Sequence, residues 1–240
     1  MKLDKLIKKN KIVILTCYDF SFAGWLERNQ CDALLVGDSL GIYIKGDNST
    51  KNTLITDIVY HTKAVKRGVK SIPIIADMPF GSYSSKRLAK KNALKLIEAG
   101  ADMVKIEGSK KIYETIDYLA TFDISVCGHI GYTPQTEDKP LKKYRTKDLL
   151  VQAKSLEACG AKMIILSMAG NEADELITNN VKIPTISFRS SFKCNGAVEI
   201  LYDLLGISNN SYAFKNPSFK KNNISSQALL QNFIRNIKVG

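Results

Sequence analysis

One unit recurs along the chain: a short apolar run, a polar residue at its end, and a helical segment that closes on Gly or a polar turn. The runs fall at 12–16, 33–36, 72–76, 103–106, 124–127, 163–166 and 183–186, with 198–201 as an eighth. Each lacks the polar alternation of a half-exposed strand, so each reads as a strand buried on both faces. Strands of that kind alternating with helices predict βαβ units and a parallel sheet. Eight units in 240 residues match a closed (β/α)8 TIM barrel, which takes about 250 residues. An open dinucleotide-binding sheet is disfavoured, because no Gly-x-Gly-x-x-Gly follows the first run. The expectation is an α/β chain forming one barrel domain over 1–240, with a tail and a final helix from about 207.

Helix signals fall where the barrel needs them. Thr56-Asp57 is placed to cap a helix over 58–66, Ser84-Ser85 to start one reaching Glu98, and Thr146 to start one reaching Ala158. Segment 133–145 lacks periodicity and holds two prolines, so it reads as a loop able to cover the barrel mouth. After Gly206 the chain turns rich in Asn, Ser and Lys until an amphipathic stretch at 227–237.

Composition removes several classes of function. Nothing approaches 18 consecutive apolar residues, so no membrane span is expected, and the apolar run after the basic first ten residues is too short for a signal peptide. Five cysteines, with no Cys-x-x-Cys among them, suggest neither a disulfide framework nor a zinc site; a cytoplasmic protein is expected. The net charge of +12 comes from lysines spread along helical faces without interleaved aromatics, so it reads as a solvated surface and no nucleic acid is expected.

If the strands are parallel, Asp38, Asp77 and Glu107 come to one face, at the ends of strands two, three and four. Three close carboxylates repel unless a cation neutralises them, and an all-oxygen set suits Mg²⁺. Lys105, two residues before Glu107, points the same way and is placed to bind a carboxylate or stabilise an enolate. His129 stands at the end of strand five as a substrate hydrogen-bond partner or acid. His61 falls on a helix, four residues after Asp57, and reads as a helix-surface or interface contact.

The stretches VGDSLG (36–41), YHTKAVKRG (60–68), ADMPFGSY (76–83), GADMVKIEG (100–108) and VCGHIGYTPQ (126–135) resemble the ketopantoate hydroxymethyltransferase family. LEACGA (156–161), DLLGI (203–207) and NPSFKK (216–221) extend the likeness. The resemblance implies a (β/α)8 barrel that transfers a hydroxymethyl group from 5,10-methylenetetrahydrofolate to 3-methyl-2-oxobutanoate, giving 2-dehydropantoate for pantothenate biosynthesis through a Mg²⁺-stabilised enolate. It also implies a homo-oligomer, a decamer in this family. It assigns Asp38, Asp77 and Glu107 to the metal, and Asp38, Ser39, Asp77, Lys105 and His129 to the oxoacid.

The chain departs from the family on the far side of the barrel. Ser167 stands where the family places its general-base glutamate, and Ser187 to Ser191 replace a glycine-rich turn. Glu172 or Asp174 is then expected as a replacement base. Two alternatives follow from the same departures: a catalytically impaired homologue that binds oxoacid as a sensor or assembly partner, and a related metal-dependent oxoacid lyase.

Overall fold

The computed structural model describes residues 2–108, 110–140, 144–208 and 225–239. The strands are β1 Ile12–Thr16, β2 Ala33–Val36, β3 Ile74–Asp77, β4 Met103–Glu107, β5 Val126–Gly131, β6 Met163–Ser167, β7 Thr185–Phe188 and β8 Gly196–Glu199. Each pairs in parallel with the next and β8 pairs with β1, which closes the barrel. The helices between them are α2 Phe20–Arg28, α3 Leu40–Tyr43, α4 Ile55–Gly68, α5 Lys86–Glu98, α6 Lys110–Ala120, α7 Thr146–Ala158 and α8 Asn171–Thr178; α1 Lys2–Ile7 precedes the barrel, and α9 Leu201–Leu204 and α10 Ser226–Val239 follow it.

Two strands begin later than their apolar runs because of proline. Pro73 and Pro184 carry no N–H for the ladder, and each gives only its carbonyl, to Leu34 N and Ile164 N; β3 and β7 start just beyond them. β8 starts two residues before the apolar run at Gly196, where a Cβ would meet Ile12 O at 2.2 Å, so only glycine lets β1 and β8 close the barrel. The helix over 55–68 begins before the expected cap, and Asp57 accepts Leu54 N at 3.0 Å. Ser85 caps α5 as its position predicts, accepting Leu88 N.

The core has two layers, as strand alternation requires. Inside the barrel, Ile12, Ile14, Leu35, Ile75, Met103, Met163, Ile165 and Ile186 form one cluster. Leu3 and Leu6 of α1 join it, so the basic first helix lays its apolar face across the N-terminal end of the barrel. Outside, the helices bury a second cluster against the strands, and α10 contributes Leu230, Phe233, Ile234 and Ile237 at helical spacing. The expected polar tail falls mostly at 209–224, outside the described residues. Cys17, Cys31, Cys127 and Cys194 are buried and Cys159 half-buried, all as free thiols. Among the described residues no helix is long and apolar enough to cross a membrane.

Candidate active site

The register carries the chemistry to one end. Asp77 on β3 is paired with Lys105 on β4, and Glu107 with His129 on β5. Lys105, Glu107 and His129 therefore share the inward face, and Asp38 follows β2 beside them. All five lie at the base of a cavity of about 360 Å³ at the C-terminal end of the barrel, where enzymes of this architecture hold their reacting groups.

Lys105 Nζ lies 2.5 Å from Asp77 Oδ1, an ion pair without the alignment of a hydrogen bond, and 3.9 Å from Glu107 Oε2. Asp77 Oδ2 accepts the backbone N–H of Asp38 at 2.9 Å. That bond needs the chain to pass close by at Gly37, where a Cβ would crowd Ser39 Oγ at 2.9 Å. His129 Nδ1 meets Glu107 Oε2 at 3.0 Å. Burial first, and Lys105 second, push the imidazole down to about 3, so it is neutral, Nδ1–H donates to Glu107, and Nε2 offers a lone pair. That Nε2 is buried and has no hydrogen-bond partner among the described residues. Ser39 Oγ is held by the buried Tyr18 hydroxyl at 2.7 Å.

One ammonium cannot satisfy three buried acids. Burial and the neighbouring Asp77 hold the Asp38 carboxyl well above the usual carboxylate range, against the pull of Lys105. Burial pushes Glu107 up to about 7, while Lys105 and the Gln135 N–H pull it down. Burial draws Lys105 down too, but Asp77, Glu107 and Asp38 outweigh it and keep the ammonium charged above its ordinary value. Among the described residues no three His, Cys, Asp or Glu side chains stand as a closed metal-binding group. The donor set nonetheless fits a hard dication: carboxylate oxygens only, negative charge in excess, and room left for other ligands.

Gln135, in the loop after β5, is the site residue that sequence reasoning passed over. Its backbone N donates to Glu107 Oε1 at 2.6 Å, and its Nε2 donates to Asp38 Oδ2 at 2.8 Å and to Met78 O at 3.1 Å. The Tyr83 hydroxyl donates to Gln135 Oε1 at 2.6 Å. A buried glutamine tied at both ends was legible only as part of a TPQ motif.

The far side differs. Ser167 is fully buried between its register partners Gly131 and Phe188, its hydroxyl has no partner among the described residues, and it does not line the cavity. Phe188 lines the wall there instead. Gly131 has φ +88, and a Cβ on it would run into Ser167 O at 2.1 Å, so the backbone at this corner is closely packed. Glu172 is exposed in the first turn of α8 and is not among the cavity-lining residues. Asp174 is buried but turned to the loop after β7, where its Oδ2 accepts Ser187 Oγ, Ser191 N and Ser191 Oγ. The structure brings neither to the cavity. Arg189 does line it, with its guanidinium 2.5 Å from Asp203 Oδ2, which also accepts the Tyr43 hydroxyl. His61 caps nothing in the cavity; its Nδ1 lies 2.6 Å from Tyr18 O.

A parallel eight-stranded barrel with its charged residues gathered at the strand C-termini defines a (β/α)8-barrel enzyme. Among solved structures the chain is similar in fold to phosphoenolpyruvate phosphomutase from Streptomyces platensis subsp. rosaceus (TM-score 0.69, 14% identity, 85% of this chain and 81% of that one). It is similar also to 2,3-dimethylmalate lyase, of the PEP mutase/isocitrate lyase superfamily (TM-score 0.65, 12% identity, 99% and 95%). Its sequence relatives are more specific. The family model for ketopantoate hydroxymethyltransferase matches residues 1–240. The 3-methyl-2-oxobutanoate hydroxymethyltransferase of Nitrosospira multiformis is 40% identical over 96% of this chain and 90% of that protein, and the one of Nitrosomonas eutropha 39% over 97% and 90%. The chain belongs to the ketopantoate hydroxymethyltransferase family.

Proposed function

We propose that the protein transfers a hydroxymethyl group from 5,10-methylenetetrahydrofolate to 3-methyl-2-oxobutanoate, giving 2-dehydropantoate, in the cytoplasm and with Mg²⁺. The carrying observation is the trio Asp38, Asp77 and Glu107 around a single Lys105 at the base of the cavity. Asp38, Asp77 and Glu107 would hold the cation. Bound there, a dication supplies Lewis-acid polarisation of the 2-oxoacid, which makes the C3–H bond more acidic.

The chain's own residues do the rest. Lys105 attracts the substrate carboxylate, and its buried ammonium favours negative charge as it develops on the oxoacid. Ser39, oriented by Tyr18, and His129 Nε2, oriented by Glu107, supply hydrogen-bonding groups with fixed directions. Apolar Leu35, Ile165 and Val198 line the cavity beside them and suit the isopropyl end. Five free thiols support a reducing compartment. Exposed Phe20, Leu54 and Tyr60 support assembly with further copies of the chain.

The deciding experiment incubates the protein with 3-methyl-2-oxobutanoate, 5,10-methylenetetrahydrofolate and Mg²⁺ and follows 2-dehydropantoate by NMR. Product formation above a protein-free control is expected. Oxoacid binding without product would favour the sensor reading, which the burial of Ser167 outside the cavity motivates.

A further inference from the structure

Hydroxymethylation at C3 requires a group that removes the C3 proton, and the cavity narrows the choice. Asp38, Asp77 and Glu107 are the acids the reading above gives to the cation, and Asp77 and Glu107 are also paired with Lys105. Lys105 Nζ is paired with Asp77 Oδ1 and Glu107 Oε2, and an ammonium has no lone pair to accept a proton. Ser39 has only a hydroxyl, which needs an activator of its own. Asp138 is on the rim, its side chain 93% exposed and paired with Lys51. Ser167, Glu172 and Asp174 do not reach the cavity. His129 Nε2 is already given to hydrogen-bonding the oxoacid in the reading above, which leaves one carboxylate.

Glu137 lines the cavity and is half-buried. A helical turn directly after β5 places it: Thr136 N and Glu137 N both donate to Thr133 O, at 3.0 and 2.9 Å. Its two carboxylate oxygens are gripped separately, Oε1 by Thr133 Oγ1 at 3.2 Å and Oε2 by the Tyr144 hydroxyl at 2.8 Å. Two hydroxyl donors fix the plane of the carboxylate and leave a lone pair on each oxygen.

We propose that Glu137 is the base that accepts the C3 proton of the 2-oxoacid. The inference rests on the hydroxymethyl-transfer reading above. In the step, the C3–H bond breaks, the proton forms an O–H bond on Glu137, and the electron pair moves into the oxoacid to give its enolate. The nucleophilic carbon is then C3, and the proton stays on Glu137 until it is returned to solvent. The base thereby comes from the loop after strand five rather than from the end of strand six.

The test is exchange of the C3 proton in D2O with Mg²⁺, read from the methine signal of 3-methyl-2-oxobutanoate by proton NMR, alongside calorimetric binding of the same oxoacid. Glu137→Gln is expected to slow exchange about 10²–10⁴-fold, the usual contribution of a positioned base, with oxoacid affinity within a few-fold of wild type. Glu137→Asp, which keeps the charge but shortens its reach, is expected to recover part of the exchange rate. Exchange that survives Glu137→Gln overturns this assignment alone. Exchange lost only in proportion to lost binding, in both variants, also overturns it, because the residue is then structural. Wild-type protein that binds the oxoacid without exchanging its proton overturns the hydroxymethyl-transfer reading itself.

Discussion

The side-chain amide of Gln135 spans the base of the cavity to donate to Asp38 Oδ2 at 2.8 Å, while its own backbone N–H holds Glu107. One residue thus sets the positions of two of the three acids, and it does so from the loop that also carries Glu137. Gln135→Ala removes the side-chain half of this link. Partners of metal-holding groups typically cost about 10–100-fold in metal affinity when lost. A Mg²⁺ affinity reduced by that amount in calorimetry is expected, and an unchanged affinity would show that Asp38 keeps its position unaided.

Lys105 is the only ammonium facing the acid cluster among the described residues, and its side chain is 6% exposed against 2% for Asp77. Lys105→Met leaves buried carboxylates without their partner. Removing one member of a buried pair costs about 3–5 kcal/mol, and urea unfolding in the absence of dications should show a loss of that size. Added Mg²⁺ should recover part of it.

Ser167 offers a prediction of indifference. Its hydroxyl is buried and has no partner among the described residues, and the residue is shut off from the cavity. Ser167→Ala should leave the rate of C3 exchange within about twofold and stability unchanged or raised by up to about 1 kcal/mol, since an unsatisfied buried polar group is removed. A large fall in activity would return Ser167 to the reacting groups.

Glu199 at the end of β8 gives the protein a pH dependence. Burial pushes its carboxyl up to about 7, against the pull of Arg189 and with a further push from Asp203. The ordinary value is 4.5, so between that pH and 7 the folded state holds a proton that the unfolded chain has released. Folding stability therefore falls as pH rises through this window, and is lowest in this respect above it. Glu199→Gln should lessen that slope in thermal melts taken from pH 4.5 to 7.5, leaving the part that Glu107 and Asp38 contribute with the same sign.

Most of the barrel was legible because its strands are buried on both faces, so each showed as an unbroken apolar run ending in a polar residue. The half of the site on β2 to β5 was legible for the same reason: a two-residue period places Lys105 and Glu107 together, and the strand register does the rest. What stayed hidden depends on loops and on helix phase. Gln135 and Glu137 act through contacts that no periodicity announces. Glu172 was expected in the site, but Ala173 and Ile177 turn inward on α8 and leave it exposed. Asp174 is inward but its hydrogen bonds lead into the serine loop that follows β7. The ion pair of Arg189 with Asp203 joins the turn after β7 to α9, a contact made only once the barrel closes.

The short first helix has a consequence for traffic. Leu3 and Leu6 pack onto the inner cluster of the barrel, which also holds Met103, Cys127 and Met163, so packed side chains close this end of the tube. Whatever rests on Asp38 and Lys105 therefore enters and leaves by the mouth at the strand C-termini, with the first helix packed against the opposite end.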